Sequence, residues 1–117
     1  MRLLSIGTVM ATTDPRLQSA VEGIVRQVHP EMVFLFGSRA RGDADEASDW
    51  DLFVVLPDDA PPGIAKPSAL RRAAAIADLP IHAVACRRGV FEAKRNDPNS
   101  LSHDVARDGV VLYQRVA

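Results

Sequence analysis

Asp49 and Asp51 are the residues of this chain whose types and spacing are best suited to chemistry. Asp51 leads directly into an apolar run, Leu52 to Leu56, which predicts a strand. Side chains at positions i and i+2 of a strand point to the same face, so the two carboxylates are expected to lie side by side. Adjacent carboxylates repel each other unless a counter-charge is present. Mg²⁺ or Mn²⁺, bound by oxygens and shared with a substrate phosphate, would supply that charge; the alternative is a solvated acidic turn.

Gly37 and Ser38 form a second candidate feature, at the end of an apolar run that predicts another strand. A glycine lets a phosphate approach the backbone closely, and the neighbouring N–H groups and hydroxyl can bind it. A short helix is predicted from Ser38 to Arg41. Arg39 and Arg41 flank the same position, and each can instead be a solvated charge or a partner for the acidic loop at 42–48. Arg41 is the better candidate for a phosphate contact.

The stretch from Gly37 to Asp51, with ten residues between Ser38 and Asp49, resembles the signature of the minimal nucleotidyltransferases. These are the smallest members of the DNA polymerase β-like superfamily. The motif covers 15 residues, and the order of the other predicted elements is similar along most of the chain. The resemblance implies that Asp49 and Asp51 bind the cation that activates a nucleoside triphosphate, with ATP expected. It also implies that Ser38 contacts the β- or γ-phosphate.

His82 stands where this family usually carries a third carboxylate, on the strand after the second helix, and Asp78 lies four residues upstream. Neutral imidazole is a poor ligand for Mg²⁺, a better one for Zn²⁺ or Ni²⁺ and an acceptable one for Mn²⁺. It can also serve as a general base near neutral pH. The alternative is a structural histidine in a site that has lost its third acid. If the strand keeps the family register, His82 shares a face with Val84 and Cys86 and lies within reach of Asp51.

Hydrophobic periodicity and capping residues predict a single domain over residues 1–117, of the α/β (α+β) class. The resemblance implies the polymerase β-like nucleotidyltransferase fold, a small mixed β-sheet with helices packed on one face. The short link between the first two strands predicts that they pair in antiparallel fashion. Helices are predicted from Thr13-Asp14-Pro15 to the residues before His29-Pro30 and at 38–41, 67–77 and 99–107, and strands at 31–36, 50–56, 80–86 and 110–113.

Composition excludes several classes of protein. The chain of 117 residues is 47% apolar and 25% charged, which is typical of soluble globular domains. Its net charge of −1 provides no general attraction to nucleic acid, which is therefore a possible partner but not a favoured one. No apolar run approaches the roughly 20 residues that span a bilayer. A single cysteine, Cys86, excludes an internal disulfide and fits a reducing compartment, so a cytoplasmic protein is expected.

Two functions from different classes are compatible with these residues. The first is metal-dependent transfer of a nucleoside monophosphate from a triphosphate to a hydroxyl acceptor. The second is a catalytically weak or inactive binding module, because minimal members of the family often pair with a helical HEPN-type protein in toxin–antitoxin systems. There the minimal protein neutralises its partner by binding it, by adenylylating it, or by both. The replacement of the third acid by His82 favours binding over turnover.

Overall fold

A mixed β-sheet forms the centre of the computed structural model, which describes residues 7–9, 14–64, 66–75 and 79–115. The described part of the sheet has five strands in the order β1-β5-β2-β3-β4. Strands β3 and β4 are parallel, and the other neighbours are antiparallel. In chain order the elements are β1 (Gly7–Val9), α1 (Pro15–Val28), β2 (Met32–Phe36), α2 (Ser38–Arg41), β3 (Trp50–Leu56), α3 (Pro67–Ala74), β4 (Ile81–Arg87), α4 (Arg88–Lys94), α5 (Leu101–Asp108) and β5 (Val110–Arg115).

Helix α1 begins and ends where its sequence predicts. The Asp14 carboxylate accepts a hydrogen bond from the Arg16 backbone N–H, and Pro15 occupies the first helical position. Thr13 lies outside the described residues. The helix ends at His29, which adopts a left-handed conformation before Pro30. Its apolar face is buried through Leu17, Ala20, Val21, Ile24, Val25 and Val28.

Strand pairing brings the predicted motif residues into one row. Strands β2 and β3 pair in antiparallel register, as expected from their short link, with Phe36 opposite Asp51. Because β4 runs parallel to β3, it requires a crossover, and α3 provides it. The parallel register places His82 opposite Asp51. The turn after β2, the start of β3 and the start of β4 therefore meet at one edge of the sheet.

The helices cover both faces of the sheet, so the expectation that they pack on one face is wrong. Val33, Leu52 and Val54 point toward α1 and α3, and with them form the first core. The alternate residues Phe34, Phe53 and Val55 point the other way and pack with Phe91 of α4 and Val105 of α5 to form the second core. Strands that are apolar at every position are buried on both faces. Because the runs that predicted the strands are apolar at every position, both faces of the sheet need a covering layer.

Other boundaries differ from the sequence predictions by short segments. The described part of helix α3 runs to Ala74, and the end of its predicted range, up to residue 77, falls on residues 76–78, which include Asp78 and lie outside the described part. Helix α5 begins at Leu101 because Ser100 is its cap and accepts from the His103 N–H. Helix α4 and strand β1 were not predicted, and β5 extends to Arg115. No helix in the described ranges is long and apolar enough to cross a bilayer.

Candidate active site

Asp51 lies at the edge of the sheet where β3 begins. Its side chain is 25% exposed and points to the face of the second core, opposite to its neighbour Trp50. The indole of Trp50 packs against the first core. Asp49 precedes the strand and is exposed, and its carboxylate makes no hydrogen bond or ion pair with any described residue. Of the two acids, Asp51 is therefore the one that the strands hold in place.

The turn at Gly37 lies directly against the Asp51 carboxylate. Gly37 has φ +76° and ψ −158°, a conformation that residues with a side chain rarely adopt. A Cβ atom at this position would lie 2.3 Å from Oδ2 of Asp51. Glycine is therefore required here for two reasons, backbone conformation and the space that Asp51 occupies. The predicted phosphate turn and the predicted acid are in contact.

His82 makes the second contact to Asp51. Its Nδ1 lies 3.2 Å from Oδ1 of Asp51, and its side chain is 62% exposed. The ring shares the face of Val84 and Cys86, which border the second core. The predicted direction of His82 and its reach to Asp51 are both confirmed. At the other end of the same strand, burial raises the pKa of the Cys86 thiol above its ordinary value, which keeps this cysteine protonated at neutral pH.

Arg39 lies partly buried between α2 and the loop that precedes β3. Its guanidinium carbon is 4.2 Å from the centre of the Trp50 ring. One terminal nitrogen donates to the backbone oxygens of Ser48, at 2.9 Å, and Glu46, at 3.4 Å. Its partner in the acidic loop is thus the loop backbone and not the loop carboxylates.

Arg41 is exposed and lies 3.3 Å from a carboxylate oxygen of Asp43. With Gly37 it lines a cavity of about 260 Å³ that continues to α5. Hydrogen bonds from Arg107 hold the pKa of the Asp108 carboxyl in this cavity below its ordinary value, and the charge of Arg41 acts in the same direction. The complete lining is Phe36, Gly37, Ala40, Arg41, Leu101, Asp104 and Asp108. A larger cavity, of about 530 Å³, lies at the opposite ends of β2 and β3, beside Met32 and Val55.

Comparison with known proteins gives one family. The family model described as polymerase beta, nucleotidyltransferase, matches residues 19–116. The chain belongs to this family. A solved structure described as a "putative nucleotidyltransferase from Sulfolobus solfataricus" is similar to this nucleotidyltransferase domain at 22% identity and a TM-score of 0.43. The similarity covers 87% of this chain and 89% of that one. None of the curated proteins compared with the chain matches it.

The structure gathers part of the site that the sequence predicts for a nucleotidyltransferase. Gly37, Asp51 and His82 meet at the sheet edge, whereas Asp49 remains in the exposed loop. Within the described ranges, no three His, Cys, Asp or Glu side chains are arranged to hold a metal ion. The residues of α5 that line the cavity were not predicted from the sequence. They are Leu101, Asp104 and Asp108, whose helical spacing could have indicated one exposed face.

Proposed function

We propose that this domain transfers a nucleoside monophosphate from a nucleoside triphosphate, ATP being the expected one, to a hydroxyl acceptor in a metal-dependent reaction. The observation that carries the proposal is the contact of Asp51 with both Gly37 and His82. This contact brings together Gly37 of the predicted phosphate turn, the acid Asp51, and His82 at the position where the family usually carries a third acid. Membership in the nucleotidyltransferase family supports the same reaction type.

The residues at this edge fit a divalent cation through their donor atoms. Asp49 and Asp51 would hold Mg²⁺ or Mn²⁺, and oxygens of the triphosphate and water would complete the oxygen-rich coordination that these ions prefer. The cation would neutralise charge on the phosphates and on the leaving group. Because Asp49 is free of other described partners, its carboxylate is available for this role. The imidazole of His82 suits Mn²⁺ better than Mg²⁺.

The chain's own residues would position the reactants. Gly37 allows the triphosphate to approach the backbone, Ser38 offers a hydroxyl and an N–H, and Arg41 lies close enough to add a positive charge. The acceptor oxygen bonds to the α-phosphorus, the bond to the bridging oxygen breaks, and pyrophosphate leaves. The hydroxyl proton would pass to a base, and His82 is the candidate for it. The cavity between α2 and α5 offers room beside Gly37 for a further part of the substrate.

A binding and transfer experiment tests the proposal. The protein would be incubated with labelled triphosphates, Mg²⁺ or Mn²⁺ and hydroxyl-bearing acceptors, and triphosphate affinity would be measured by calorimetry. We expect Asp49→Asn and Asp51→Asn to abolish metal-dependent binding and to lower transfer by roughly 100-fold or more. The control is Asp59→Asn, which removes an exposed carboxylate elsewhere. Equal triphosphate affinity in the parent and both motif variants, with and without metal, would contradict the proposal.

The second candidate function is a binding module that neutralises a HEPN-type protein. The presence of an exposed imidazole at the third-acid position favours this candidate, because it leaves the site one negative charge short. Co-expression with such a partner separates the two functions. If Asp51→Asn still neutralises the partner, binding is sufficient. If neutralisation is lost together with labelling of the partner, transfer is required.

A further inference from the structure

Arg39 connects the phosphate turn to the loop that carries the acids. We infer that Arg39 is a positioning residue, which fixes the loop at 46–50 and thereby the directions of Asp49 and Asp51. The inference rests on the proposed function for its consequence, but its geometry stands on contacts that involve neither substrate nor metal. The sequence favours Arg41 over Arg39 as a phosphate contact, and the surroundings of Arg39 in the fold indicate a separate role for it.

The first contact that carries this inference is with the loop backbone. A terminal nitrogen of Arg39 donates to the carbonyl oxygen of Ser48, the residue immediately before Asp49, and more weakly to that of Glu46. The loop is also ordered internally, since the Asp45 carboxylate accepts from the Ala47 N–H and the Ser48 N–H bonds to the Asp45 carbonyl. Arg39 therefore attaches a preformed turn to α2.

The second contact is with Trp50, the residue between the two acids. The guanidinium stacks on the indole at 4.2 Å, which is within the range of a cation–π interaction. The indole also packs against the first core. Holding Trp50 on that face fixes the opposite direction of Asp51, because successive strand side chains alternate.

The third observation concerns a simpler role as a phosphate ligand, against which the existing contacts of Arg39 argue. The Nε of Arg39 is buried and has no hydrogen-bond acceptor among the described residues. The other end of the guanidinium is engaged, and reaching a phosphate would require it to leave both the carbonyls and the indole. Arg41, by contrast, is exposed and would have to leave only a surface ion pair with Asp43 to make that contact. The two arginines of the motif thus have different tasks.

Arg39→Ala and Arg39→Lys test the inference. The control is Arg26→Ala, which also removes one arginine, but an exposed one on α1. Trp50 is the chain's single tryptophan, so its fluorescence reports on the stack without labelling. We expect Arg39→Ala to shift the Trp50 emission and to weaken Mn²⁺ binding, measured without nucleotide, by roughly tenfold. Arg39→Lys should restore little of the parental Mn²⁺ affinity or Trp50 emission. An ammonium group can neither stack flat on the indole nor donate to two carbonyls in the geometry of a guanidinium. Trp50→Ala should weaken Mn²⁺ binding similarly, and the double variant should be no worse than either single one.

Hydrogen–deuterium exchange of residues 45–49 gives a readout that does not depend on metal. We expect faster exchange there in Arg39→Ala than in Arg26→Ala. Parental exchange and parental Mn²⁺ affinity in Arg39→Ala would overturn the inference. A loss of triphosphate affinity with unchanged Mn²⁺ affinity and unchanged exchange would also overturn it, by showing a phosphate contact. If the parent protein binds Mn²⁺ neither alone nor together with a triphosphate while exchange still accelerates in Arg39→Ala, the proposed function fails and the positioning role stands.

Discussion

Gly37, Asp51 and His82 are in close contact at the edge of the sheet. Gly37 approaches Asp51 so tightly that a methyl group would overlap its carboxylate, and His82 contacts the other oxygen of the same group. Asp51 is thus held from two sides by neighbouring strands. A change in any of these residues is expected to alter the position or charge of one carboxylate. Each can therefore be tested against a closely matched variant.

Gly37→Ala is expected to lower metal-dependent triphosphate affinity by at least roughly tenfold and stability by about 1–3 kcal/mol, because the new Cβ meets Asp51 in a strained backbone. Gly42→Ala is the control, since Gly42 also has a positive φ but its Cβ would meet nothing within 4 Å. It should cost about 1–2 kcal/mol of stability and leave affinity nearly unchanged. Calorimetry and urea denaturation measure both effects. Equal losses of affinity in the two variants would show that strain alone, and not the contact with Asp51, is responsible.

His82→Asp is expected to strengthen Mg²⁺ binding by roughly tenfold, since it adds a third carboxylate beside Asp51. Any transferase activity should rise with it. Without metal the same variant should melt at a lower temperature than the parent, because the two carboxylates repel. His82→Ala is the control and should gain no Mg²⁺ affinity. An unchanged Mg²⁺ affinity in His82→Asp would assign His82 a structural role and favour the binding function.

Helices α1 and α3 pack together in the first core and approach each other most tightly at Gly23. A Cβ on Gly23 of α1 would lie 2.1 Å from the backbone oxygen of Ala73 in α3, so only glycine permits the two backbones to approach. Helix α3 is also the crossover between β3 and β4. Its distance from α1 therefore influences where β4 begins, and with it the position of His82.

Gly23→Ala is expected to destabilise the fold by about 1–3 kcal/mol, even though alanine is the better helix former, because the helices must separate. Urea denaturation measures the change. Gln27→Ala, on an exposed position of the same helix, should change stability by less than about 0.5 kcal/mol. A stabilised Gly23→Ala variant would mean that helix propensity outweighs the contact with α3.

On the scale of the whole molecule, the sheet is the middle of three layers. The first core is the larger, and the second depends on a small aromatic group, in which Phe91 lies 5.7 Å from both Phe34 and Phe53 between ring centres. Helices α4 and α5 are attached to the sheet through this group. Because Asp51 and His82 point to the same face, the second layer adjoins the candidate site.

Phe91→Ala is expected to cost about 3–5 kcal/mol, since it removes the only ring that α4 contributes to the described second core. Exchange of backbone amides should accelerate in α4 and α5 before it does in α1 and α3. Val90→Ala is the control, because Val90 is 51% exposed on the same helix, and it should change stability by less than about 0.5 kcal/mol. Uniform acceleration over all helices in Phe91→Ala would show that the two cores unfold as one unit.

The sequence alone determined most of the elements and the positions of the motif residues within them. Apolar runs predicted the strands that begin at Met32 and Trp50, and a capping residue predicted the start of α1 at Pro15. Periodicity and capping depend on residues that are close together in the sequence, so they can be recognised without the fold. The spacing from Gly37 to Asp51 indicated the broad nucleotidyltransferase family to which the chain belongs, whereas the resemblance to its minimal members stays a prediction. Strand alternation also predicted the face of His82 correctly.

Tertiary structure alone decided which of these residues touch. The contact of Gly37 with Asp51 depends on the register between β2 and β3, and that of His82 on the parallel pairing of β4, which no local pattern specifies. The second helical layer arises because both faces of apolar strands must be buried, but its position depends on packing. Arg39 and Arg41 are equivalent as charges two residues apart. They differ because the fold places an indole and two carbonyls around Arg39 and leaves Arg41 exposed beside the Asp43 carboxylate.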